Sequence, residues 1–204
     1  VPDVYQIASV REIMFNIFSE IDQLTTEQDI YDFILDNCSK VVAHSGLCSL
    51  MMVKDSYAEI VAQRGFESET LHMRLALEDT FPALETNGKF DRIVRINDLE
   101  KFQDQYCMEI RPKNGDAYLA STISTPLYIN RTLYAILNFD SVHKNAFTEM
   151  DEQLLQLIKA NIEIILTNHQ MHLEIRQLSI TDTLTGLYNR NYMEEFLNAN
   201  KDQS

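Results

Sequence analysis

The chain has no tryptophan, so its aromatic content comes entirely from 10 phenylalanines and 9 tyrosines. It has no apolar run approaching the ~20 residues that span a bilayer. The amino end is acidic and lacks a compact apolar run behind positive charges, so it does not read as a secretory leader. Basic residues are scarce: 17 Lys and Arg stand against 31 Asp and Glu, a formal charge of −14. Such a surface repels nucleic acid and anionic lipid, which excludes both as partners of the face as a whole. A pocket can still hold an anion where a local arginine faces it. The cysteines, Cys38, Cys48 and Cys107, are an odd set without metal-ligand spacing. They fit reduced thiols, and a cytoplasmic location is expected.

What is present suits one main domain with appendages. The chain has 204 residues, 45% of them hydrophobic, enough for a sizeable core. Val4, Ile7, Val10, Ile13, Met14, Ile17, Phe18, Ile21 and Leu24 recur at helical spacing. Thr25 and Thr26 offer caps for a second helix carrying Ile30, Phe33, Ile34, Val41 and Val42. Leu47 to Val53 is a short apolar run, and Ala58 to Gly65 alternates, with Asp55-Ser56 as the turn between two strands. Residues 67–118 are less regular, broken by Pro82, Gly88, Pro112 and Gly115. Arg92 to Ile96 reads as a strand there, followed by a helix from Asp98 or Leu99. Ser121 to Tyr128 and Thr132 to Asp140 form a hairpin about Asn130-Arg131. A last helix starts near Thr148 and runs without Pro or Gly to about Leu178. The order implies an α+β fold around an antiparallel sheet.

Several of these residues carry a family resemblance. Arg64-Gly65-Phe66 closes the second strand, Ser124-Thr125-Pro126-Leu127 and Leu133 to Asn138 form the penultimate and final strands, and Phe147-Thr148-Glu149-Met150-Asp151 opens the closing helix. Together they resemble a GAF domain over roughly residues 12–168, with residues 1–11 as a helical extension. Ala135 departs from the glycine common there. A PAS-type sensor is the competing fold, and the two-helix start argues against it.

The resemblance implies a small-molecule pocket between one sheet face and the irregular middle. Candidate ligand residues are Arg64, Phe90, Arg92, Phe102, Tyr106, Cys107, Tyr118 and Ser121, although most aromatics in a small domain serve the core. Three ligand classes fit poorly. Cyclic-nucleotide GAF domains carry Asn-Lys before Phe-x-x-x-Asp-Glu; here Phe147, Asp151 and Glu152 are present, but Asn138 is followed by Phe139. Bilin-binding relatives often have Cys-His, whereas Met108 follows Cys107. His169 and His172 share a helix face without a third ligand, so no metal site is expected.

Near the carboxyl end, Asp182-Thr183-Leu184-Thr185-Gly186-Leu187-Tyr188-Asn189-Arg190 resembles the segment that opens GGDEF domains, the modules of diguanylate cyclases. A capped turn between helices is the plainer alternative. The resemblance implies that residues 181–204 begin a GGDEF domain and that the parent condenses two GTP into cyclic di-GMP with Mg²⁺. The Gly-Gly-Asp/Glu-Glu-Phe signature is absent, so this stretch itself has no catalytic residues and needs no cofactor.

Residues 169–180 then read as a connecting signalling helix. From Thr148 to Leu178 it would be about 45 Å long, and a domain of ~150 residues is about 35–40 Å across. Leu154, Leu155, Ile158, Ile162 and Ile165 suit core packing. Leu157, Asn161, Ile164, Asn168, Met171, Ile175 and Leu178 keep a 4-3 spacing, the pattern of a coiled-coil seam and so of a parallel homodimer. The alternative is that these residues complete one monomer's core. Two functions follow: a ligand-binding regulator of cyclic di-GMP synthesis, or a ligand-free dimerisation relay. The output could also be a degenerate GGDEF or a GGDEF–phosphodiesterase pair.

Overall fold

A computed structural model describes residues 26–42, 46–102, 112–113, 118–180, 185 and 187–189. The expected first helix, Val4 to Leu24, lies outside the described residues, as do Tyr106 and Cys107. The chain divides into two compact units, residues 1–163 and 164–204.

The first unit is built on a six-stranded antiparallel sheet flanked by helices, an α+β fold. The first described helix, α1 (Glu27–Val41), opens on a capping box: the Thr26 hydroxyl accepts from the Asp29 amide, and the Asp29 carboxylate accepts from the Thr26 amide. Two strands follow, β1 (Leu47–Lys54) and β2 (Tyr57–Arg64), joined by a turn with Asp55 at φ 53°. The remaining strands are β3 (Arg74–Ala76), β4 (Val94–Ile96), β5 (Ser121–Ile129) and β6 (Thr132–Ser141). Their order across the sheet is β3-β2-β1-β6-β5-β4. Asn130 and Arg131 both take positive φ, 50° and 66°, which matches a two-residue turn to the right-handed twist of the β5–β6 hairpin.

Residues 67–118 hold more regular structure than their composition suggests. β3 and a short helix, α2 (Phe81–Thr86), lie here, and neither announces itself in the sequence. Pro82 does not break α2 but sits in its first turn, where no intrahelical amide bond is lost. The helix ends at Asn87 in the left-handed region, φ 51°. Where a helix is expected from Asp98 or Leu99, Leu99–Phe102 is a 3₁₀ turn and residues 103–111 lie outside the described residues; the strand expected from Arg92 is only Val94–Ile96.

Strand register sorts side chains between the two sheet faces. Cys48, Leu50, Leu137, Phe139 and Ile123 face α1 and the first half of α3 (Glu149–Ile180), and all are buried. Arg64 on this face reaches Asp32 and Asp36 of α1. On α3, the Glu163 carboxylate accepts from the Tyr128 amide at 2.8 Å, and Lys159 lies 5.2 Å from the Tyr128 ring centre. Leu154, Leu155, Ile158 and Ile162 are buried as expected, and so are Ile165 and Leu166. The opposite sheet face is covered by α2 and the 3₁₀ turn: Met51, Ala58, Ile60, Leu75 and Ile136 of the sheet pack with Ala83 and Phe90. Beside them, Val94 and Ile96 pack with Leu99 and Phe102.

In the second unit, α3 continues to Ile180. Of the following segment, Leu187 and Tyr188 are described and exposed. No helix among the described residues is long and apolar enough to cross a membrane.

Candidate functional site

The covered sheet face is not filled throughout. Between it and the overlying segment lies a cavity of about 30 Å³. Roughly 10–15 Å³ of such space seats one water, so the part-open site has room for about two. Its walls are Ser49 and Met51 of β1, Ile60 of β2, Leu75 of β3, Asn138 and Asp140 of β6, and Phe66, Thr70, Thr80, Phe81, Pro82 and Leu119 of the cover.

The polar part of this wall arises from period-2 alternation in three neighbouring strands. Asn138 lies opposite Ser49 on one side and Ser124 on the other, and Asp140 lies opposite Thr122. Register thus gathers five polar side chains onto one buried patch; none is more than 8% exposed. The Ser124 hydroxyl donates to Asn138 Oδ1 at 2.7 Å, and Asn138 Nδ2 donates to the Ser49 hydroxyl at 3.4 Å. The Thr80 hydroxyl turns inward to donate to the Leu77 carbonyl at 2.8 Å.

Among the described residues, Asp140 is the one ionisable residue lining the cavity. Burial pushes its carboxyl up to about 7, and the neighbouring Thr122 hydroxyl offsets this only in part. The two described cysteines are inert. Burial raises the Cys38 thiol well above its ordinary value and pushes Cys48 up to about 12, although nearby Arg64 draws Cys48 the other way. Neither is a thiolate poised for attack at neutral pH. Among the described residues, no group of three or more His, Cys, Asp or Glu could hold a metal ion.

The described candidates drawn from the sequence fall elsewhere, and Tyr106 and Cys107 lie outside the described residues. Arg64 faces α1, its Nε 2.9 Å from Asp36 and its Nη1 2.9 Å from Asp32. Its charge is committed on the side of the sheet away from the cavity. Phe90 is buried among the cover's apolar residues, and its carbonyl accepts from the Tyr128 hydroxyl at 2.8 Å. Arg92 pairs at the surface with Asp91, Tyr118 is exposed, and Ser121 donates to the His143 carbonyl. Phe102 stops one layer short, its ring 6.2 Å from that of the lining residue Phe81. What sequence reasoning missed was Ser49, Asn138 and Asp140. The available signal was polar residues at alternate positions within otherwise apolar strands.

Along α3, the seven residues at coiled-coil spacing divide. Leu157, Ile164, Asn168, Met171 and Ile175 are exposed. Asn161 is not: it is 8% exposed, and its amide donates back to the Leu157 carbonyl at 3.2 Å. The side chain of Leu178 lies outside the described residues.

Comparison with known proteins bears on the domain as a whole. No curated protein matches the sequence. Solved structures that share the fold include the GAF domain of a phosphoenolpyruvate-protein phosphotransferase from Acinetobacter, at 17% identity and a TM-score of 0.66, covering 83% of this chain and 97% of that one. A phycocyanobilin-bound GAF domain from a cyanobacterial phytochrome is similar at 18% identity and a TM-score of 0.58, covering 81% and 96%. So is a free methionine-R-sulfoxide reductase from Neisseria meningitidis in complex with its substrate, at 14% identity, a TM-score of 0.58, and coverage of 83% and 96%. A family model described as a GAF domain matches residues 25–167. That match spans well over half of the sequence, over the segment that builds the six-stranded sheet, and the chain belongs to the GAF domains.

Proposed function

We propose that this chain is a sensory module that binds a small molecule in the cavity beneath α2 and passes the signal along α3. The observation that carries the reading is the buried polar patch of Ser49, Asn138 and Asp140 on a wall of that cavity. A buried polar group costs free energy unless paired; Asn138 is paired with Ser124 and Ser49, and the ionisable Asp140 beside Thr122 is the group on this wall that packing alone does not call for. A phytochrome GAF domain that holds phycocyanobilin supports the fold's capacity to take a ligand on such a frame.

The proposed output is a diguanylate cyclase. Its support is the segment from Asp182 to Arg190 with its GGDEF-opening letters, placed two residues after α3 ends. The helix would carry register between sensor and output as a parallel homodimer, using the exposed stripe at Leu157, Ile164, Met171 and Ile175. Two arrangements of that seam a few kcal/mol apart would let a ligand shift their populations. The module itself regulates rather than catalyses, consistent with the buried, protonated thiols of Cys38 and Cys48.

Native and denaturing mass spectra of the purified chain test this reading. The expected result is a dimer whose extra mass disappears on denaturation. A bare dimer would favour a ligand-free relay, and a monomer would remove the seam.

A further inference from the structure

If the cavity is a ligand site, as proposed above, its wall also limits the ligand's charge. Among the described residues, its lining contains one carboxyl group, that of Asp140, and no Lys, Arg or His. Thr80 donates its proton to a backbone carbonyl, and Asn138 donates one of its two to Ser49. The oxygens of Asp140, Thr80 and Ser49 keep acceptor capacity on that wall. Arg64, the cation nearest the sheet's other face, is held by two carboxylates of α1. Cys48 on that face interacts with the charge of Asp140 but is itself neutral near pH 7. An anionic ligand would meet the ionised form of Asp140 in a low dielectric, with no compensating cation among the described lining residues.

We infer that the cavity takes the ammonium end of a small amine, with Asp140 as its counter-charge and an apolar body lying against Phe66, Phe81, Leu119 and Met51. Phenylalanine rings also suit a cation through their negative faces. An inorganic cation fits poorly, because most of the wall is hydrocarbon and hard cations require a shell of oxygens. The part-open cavity seats the head group against Asp140, and the body extends along the apolar wall.

The test uses the whole chain, ¹⁵N-labelled, and three matched probes: n-propylammonium chloride, n-propanol and sodium propionate. The ammonium should shift the amide signals of Ser49, Met51, Asn138 and Asp140, and bind about ten-fold or more tighter than propionate. Asp140→Asn should weaken it by about ten-fold or more while leaving propanol unchanged. Binding to the wild-type chain at pH 6 should release about one proton, read from calorimetry in buffers of different ionisation enthalpy. This readout decides the matter if Asp140→Asn fails to fold. Propanol or propionate binding as tightly as the ammonium, or ammonium binding without proton release, would overturn the amine assignment while leaving a ligand site in place. If none of the three moves these signals, both readings fall.

Discussion

Asp140 is where a single side chain sets a property of the domain. An ordinary aspartate loses its proton near pH 3.9, whereas buried Asp140 keeps its proton to about 7. Between these values the unfolded chain binds fewer protons than the folded one, so stability falls as pH rises from about 4 to about 7, then levels off. At about 1.4 kcal/mol per pKa unit the loss amounts to a few kcal/mol at most. Asp140→Asn should therefore melt above the wild-type chain at pH 8, with the gap narrowing toward pH 5; equal melting at pH 8 would contradict this. Glu59 and Asp98 titrate in the opposite sense. Hydrogen bonds from Arg74 and Lys144 hold their carboxyls below the usual range, so their contribution is lost only as pH falls through that lower range. Gly65 is a second single-residue constraint. At φ +82°, a Cβ there would stand 2.4 Å from the Gly46 carbonyl oxygen and 2.7 Å from Leu47. Gly65→Ala should cost at least about 1–2 kcal/mol in denaturant unfolding, through the left-handed backbone and the clash together.

At the scale of elements, both long helices start from the same device, a threonine followed three residues later by aspartate. At α3 the Asp151 carboxylate accepts from the Thr148 amide and hydroxyl, both at 2.7 Å, and the Asp151 amide donates to Thr148 at 3.4 Å. Thr148→Ala should cost about 1 kcal/mol, measured as a lower urea midpoint at unchanged slope. These starts were legible because a cap is a local interaction within a few residues. The β5–β6 turn was legible for the same reason, since Asn130-Arg131 separates two apolar runs by two residues. β3 and α2 were not. Arg74–Ala76 becomes a strand only because β2 offers it an unpaired edge, and Phe81–Thr86 becomes a helix only because Ala83 has an apolar surface to cover.

For the whole molecule, the exposed stripe of α3 is the feature on which assembly turns. Ile164 and Met171 are 45% and 53% exposed, so replacing them should barely alter the stability of a monomer. Ile164→Asp with Met171→Asp should convert a dimer to a monomer in sedimentation velocity while leaving the melting temperature of the sheet domain within a few degrees. A large fall in melting temperature without dissociation would assign these residues to one chain's own packing. The sequence by itself determined the α+β order, the hairpins, the helix caps and the split of apolar positions along α3. Each of these follows from periodicity or from contacts between near neighbours. Only the tertiary structure decided which polar residues share a cavity. Ser49 and Asn138 are 89 positions apart and meet through strand register alone. The same register turned Arg64 toward α1 and away from the cavity, because a side chain's face depends on how its strand is paired, bulges included.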